Sequence, residues 1–113
     1  MKIPKPTDAD KAYFRSVVPD EDPRVIVKPM FGNLGAFVNG NMFMGLFGGS
    51  VGVRLDESGR EELGAVEGAG PFGPEGRPMR EYVALPERWR TDPAASEPWI
   101  TRALDHVGQM PPK

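Results

Sequence analysis

Arg54 is the residue best placed to do chemistry. Two turn pairs, Asn39-Gly40 and Gly48-Gly49, set the register around it, because Asn-Gly and Gly-Gly supply the positive φ angles of two-residue hairpin turns. With those turns, Phe37 faces Met42, Ala36 faces Phe43, Leu46 faces Val51 and Met44 faces Val53. Arg54 then falls opposite Phe43 on a sheet face dented by Gly45 and Gly52. A guanidinium over such a dent can receive a carboxylate or phosphate through paired hydrogen bonds, or pair across a dimer. Its bland alternative is a stem that covers Phe43 and a head that sits in water. Phe43, Phe47 and Val38 share this face. A contiguous apolar patch there marks an interaction site, unless the chain's own Phe72 loop or N-terminal helix covers it.

Other chemistry is largely excluded. The chain has no Cys, which removes disulfides, thiolate zinc sites and cysteine nucleophiles and agrees with a cytoplasmic location. His106 is the only histidine, so it has no imidazole partner for a metal; in the last turn of a helix it complements the dipole. Glu61 and Glu62 fall on a short surface helix and Asp20, Glu21 and Asp22 on a loop, as solvated acidic surface. Gly45 to Ser50 is rich in glycine, but a strand rather than a helix follows, so it reads as a hairpin turn and not a phosphate loop. The six Met and six Phe, at strand spacing, read as core. No catalytic residue, metal site or cofactor is expected, and the chain is not read as an enzyme. Net charge is -2, so only a local patch could favour nucleic acid; Arg77, Arg80, Arg88 and Arg90 make one near Tyr82 and Trp89, interleaved with Glu75, Glu81 and Glu87.

The elements that position these residues follow from pattern. At 113 residues one domain is expected. Thr7 or Asp8 caps a first helix whose stripe is Tyr13, Phe14, Val17 and Val18. Arg24 to Lys28 is a strand that stops before Pro29, and after a bend at Phe31-Gly32-Asn33 come strands near 34–38, 42–47 and 50–55. One face of these carries Phe37, Met42, Met44, Leu46, Val51, Val53 and Leu55 as core; the other carries Ala36, Val38, Phe43, Gly45, Phe47, Gly52 and Arg54. Ser58 and Glu61 match a capping box for a helix over 59–66. Residues 68–78 form an ordered loop pinned by Phe72, and 80–85 supply one more strand. A last helix carries Trp99, Ile100, Ala103, Leu104 and Val107, with Ser96 as its cap, Pro98 in its first turn and Gly108 just past its end. The fold class is α+β: an antiparallel sheet of about five strands, including two consecutive tight hairpins, with N-terminal and C-terminal helices packed on one face. The charge-free stretch 29–53 is too rich in Gly and Asn for a membrane helix, and no secretory leader is visible.

The run Lys28 to Gly45, with Val53-Arg54-Leu55, resembles the amino-terminal domain family of TfoX/Sxy competence regulators. Three features carry the likeness: the Met30-Phe31-Gly32 bend, the Asn39-Gly40 turn leading into Met42-Phe43, and a strand ending in Arg54. Pro71-Phe72, Gly76-Arg77-Pro78-Met79, Tyr82-Val83, Pro86-Glu87 and a tryptophan in the last helix extend it. The resemblance implies a small α+β domain with a role in regulating DNA-uptake genes. Full-length members add a helical C-terminal domain, which these 113 residues do not include. The expected function is a non-enzymatic regulatory or protein-interaction module, self-associating or binding a protein partner through Phe43, Phe47, Arg54, Val38, Gly45 and Gly52. The alternatives are a small-anion sensor using Arg54 and a weak nucleic-acid-binding module using the four arginines.

Overall fold

Thr7 starts the first helix, α1 (Asp8–Val17), through a capping box: its side chain accepts from the Asp10 amide, and the Asp10 carboxylate accepts from the Thr7 amide. The computed structural model describes residues 4–74 and 76–113. After α1 the chain builds β1 (Ile26–Met30), β2 (Asn33–Val38), β3 (Asn41–Phe47) and β4 (Ser50–Arg54), then α2 (Glu57–Gly64), β5 (Gly70–Pro71) and β6 (Tyr82–Ala84). A 3-10 turn (Glu87–Thr91) and α3 (Pro93–Gly108) complete it. All strand pairings are antiparallel, in the order β1-β2-β3-β4-β6-β5. The sheet therefore has six strands rather than five; the additional one is two residues long, within the Gly/Pro segment read as loop.

Consecutive two-residue turns make the first four strands a meander. Asn39 (φ 55) and Gly40 (φ 78) form the expected type I′ turn, and Gly48 (φ 61) opens the third hairpin. Phe31 (φ 50) and Gly32 (φ 83) make a second turn of the same class, so the bend before β2 is itself a tight hairpin. β1 runs on through Pro29, which pairs with Leu34. Residues flanking a two-residue turn share the hydrogen-bonded pair, here Met30 and Asn33, so the backbone of the alternate residue Pro29 points off the sheet. An edge strand tolerates proline in that position, where no ladder bond is lost.

One β-bulge reverses part of the expected register. Phe37 pairs with Met42, as predicted, but Ala36 pairs with Met44, leaving Phe43 as an inserted residue without a partner. From Met44 onward the two faces are as predicted. Before Met44, along β2 and the start of β3, they exchange: Ala36, Val38 and Phe43 enter the helix-covered core, all completely buried, while Phe37 and Met42 cross to the opposite face beside Gly35.

The core lies between the sheet and the helices, with Phe14 and Val18 from the first helical segment, Met44, Leu46, Val51, Val53 and Leu55 from the sheet, and Leu63 from α2. α3 contributes Ser96, Ile100, Ala103, Leu104 and Val107, one helical stripe. Its start differs from expectation. Asp92 precedes it and Pro93 sits in its first turn, so Ser96 is a buried helical residue whose hydroxyl donates to the Pro93 carbonyl at 3.0 Å. Pro98 lies inside the helix and Gly108 is its last residue. For α2 the cap is Asp56, which accepts from the Gly59 amide at 2.7 Å, while Ser58 donates to Glu62. No helix among the described residues is long and apolar enough to cross a membrane.

Candidate functional site: the glycine trough and the hollow beside Phe31

Gly35, Gly45 and Gly52 are directly paired across β2, β3 and β4, so three adjacent strands lack side chains along one row of the face away from the helices. The trough is filled from above. A Cβ on Gly52 would lie 2.3 Å from Phe72 Cγ, and one on Gly35 would lie 2.8 Å from Met42 Sδ and 3.0 Å from Phe37 Cε1. Phe72 is 2% exposed, meets Phe47 edge-on at 6.2 Å and Tyr82 at 5.9 Å. The loop thus covers the middle of the face with its own aromatic ring, one of the two outcomes left open by the sequence.

Arg54 is correspondingly engaged. It pairs with Tyr82 across β4 and β6, and its Nη2 donates to Glu81 Oε2 at 2.8 Å. Phe43 is on the other side of the sheet, so the expected Phe43–Arg54 pair does not form. Arg54 Nε is buried with no hydrogen-bond partner among the described residues. Beside it, burial pushes the Tyr82 hydroxyl pKa up, and the neutral phenol donates to the Met42 carbonyl at 3.0 Å.

Of the predicted interaction residues, then, Phe47, Gly45, Gly52 and Arg54 lie on this face; Val38 and Phe43 do not. What the cover leaves open lies toward the β1–β2 turn. A hollow of about 450 Å³ is lined mainly by Met30, Phe31, Met42, Phe47, Phe72 and Met79. Three of the six methionines read as core filler line this hollow instead. Phe31 stands at its edge, 82% exposed, with a positive φ. A bulky side chain in this backbone region costs of order 1–3 kcal/mol, and here no buried contact offsets it. Phe31 is not among the residues the sequence pattern singles out, although a Phe-Gly pair spaced like Asn-Gly between two strands is its signal.

Two of the four arginines are engaged within the chain. Arg77 is exposed and lines the hollow, and Arg80 is exposed before β6. Beyond β6, Arg88 donates to the Glu67 carbonyl and lies over Trp89. Arg90 pairs with Asp10 at 2.8 Å and stacks 4.9 Å over Tyr13. Hydrogen bonds from the Thr7 amide and Arg90 hold the Asp10 carboxyl below its ordinary pKa. No group of three His, Asp or Glu residues that could hold a metal occurs among the described residues.

The family model for the TfoX N-terminal domain matches residues 20–107, from before β1 to the penultimate residue of α3. No curated protein and no solved structure matches the chain.

Proposed function

The chain belongs to the TfoX N-terminal domain family, and from that premise we propose that it is a non-enzymatic regulatory module acting by contact with another protein chain, with Phe31 as the anchor. The family ties it to regulation related to competence at a coarse level. The observation that carries the finer reading is the exposed Phe31 ring, held in a costly conformation beside an apolar hollow. Aromatic anchors set against apolar pockets dominate protein interfaces. The contact surface shifts accordingly from Phe43 and Val38 to Phe31, with Phe47 behind it.

A photocrosslinking residue placed at position 31 in the native cells tests this, with the same group at the exposed Glu61 as control. A discrete adduct specific to position 31 is the expected result; an adduct of twice the chain's mass identifies self-association, and any other mass a different partner. No adduct, or the same adducts from both positions, would overturn the proposal.

A further inference from the structure

The hollow beside Phe31 has a composition that defines a ligand independently of any protein partner. Its walls are mainly methionine, phenylalanine and leucine side chains, and among the described residues the polar ones lining it are Asn33 and Arg77. Asn33 is 3% exposed and already satisfied: its Nδ2 donates to the Pro4 carbonyl at 3.2 Å, and its Oδ1 accepts from the Gly48 amide at 2.8 Å. Among the described residues that leaves the Arg77 guanidinium as the charged group lining the hollow. No carboxylate lines the hollow among the described residues.

We propose that this hollow binds a small amphipathic carboxylate, with an apolar body against Met30, Met42, Met79 and Phe72 and a single anionic head at Arg77. Small-molecule sites are clefts of about 300–1,000 Å³, mostly apolar, with a few polar groups that fix orientation. The hollow, about 450 Å³, falls within that range. Methionine walls adapt to an aliphatic or an aryl body alike. A guanidinium at the mouth selects a carboxylate over an alcohol or amine of the same shape, since it offers paired charge-assisted donors and no acceptor. Occupancy of the hollow, immediately beside Phe31, would couple the ligand to the contact proposed above; the binding site itself does not rest on that reading.

The test uses the full chain carrying ¹³C-methyl methionine, titrated with decanoate, 1-decanol and decylamine by calorimetry and NMR. Decanoate is expected to bind at least tenfold more tightly than either analogue and to shift the methyls of Met30, Met42 and Met79, but not those of Met44, buried in the core, or Met110, packed against it. Arg77→Gln, at an exposed loop position, should weaken decanoate about tenfold and leave decanol unchanged. Equal affinity for the three probes, indifference to Arg77→Gln, shifts centred elsewhere, or no binding would each overturn the proposal. A position-31 adduct can persist in all of these cases, so failure here and failure of the interaction reading are distinguishable.

Discussion

Phe31 is unusual because fold stability argues against it. Type I′ turns favour Asn or Gly in the first central position, where φ is positive, and the left-handed region costs a bulky L-residue about 1–2 kcal/mol. The ring gains no burial in return, being 82% exposed. Phe31→Asn is therefore expected to stabilise the isolated domain by about 1 kcal/mol, read as a higher urea midpoint with an unchanged m-value. A stability gain coupled to loss of the adduct formed by a crosslinking group moved to the neighbouring exposed Arg77 is the pattern of a residue kept for binding at the expense of folding. Gly52 is the converse case. Its missing side chain is what lets Phe72 reach the sheet, and any Cβ there would expel the ring that closes the trough.

At the level of elements, α2 shows how neighbouring residues compete for one role. Ser58 and Glu61 have capping-box spacing, but Asp56 lies upstream and its carboxylate accepts from the Gly59 amide. A charged acceptor at a helix N-terminus makes a stronger bond than a hydroxyl and complements the dipole. Asp56→Ala should cost about 1 kcal/mol, and Ser58→Ala only a few tenths, in thermal unfolding of the two variants. The same limit governed the sheet. The turns at Asn39-Gly40 and Gly48-Gly49 were legible because positive φ has few residue solutions, and the strands beyond Met44 followed from alternation. The bulge at Phe43 was not legible, since Phe, Met and Val are acceptable on either side of a strand and a one-residue insertion exchanges the faces. That exchange is why strict alternation puts Val38 and Phe43 on the interaction surface and Phe37 and Met42 in the core, the reverse of their places in the fold. β5 is not legible because tertiary pairing rather than pattern holds it: Gly70 and Pro71 pair with β6. Phe72 as a cover was visible as an option, but choosing it required knowing that the three glycines align.

Across the whole molecule, ion pairs join elements distant in sequence. Arg90 and Asp10 tie the segment before α3 to α1, and Arg102 and Glu62 tie α3 to α2. Partner hydrogen bonds lower the pKa values of Asp10 and Glu62, and Arg24 brings Asp22 down to about 2. Each carboxylate is thus less readily protonated in the folded chain than in the unfolded one. Their contribution to stability is fully present above the ordinary carboxylate range near 3.8 to 4.5, and is lost as pH falls through the lowered folded values, for Asp22 toward 2. Urea midpoints should therefore hold steady from neutral pH to about pH 5 and fall below it. In Asp10→Asn the baseline should be lower at neutral pH and the acid loss shallower.

The succession of two-residue turns also sets an order of assembly. Each pairing from β1 to β4 closes the shortest loop available to antiparallel strands, so the chain gives up little entropy before a ladder forms. β6 can join β4 only after α2 and the glycine-proline segment have been synthesised and folded back, a closure that few local contacts prepare. The meander is accordingly the natural nucleus, and the trough acquires its Phe72 cover late. Until then β4 is a sheet edge with unpaired N–H and C=O groups, so the interval before β6 docks is when a nascent chain is most open to pairing with another strand.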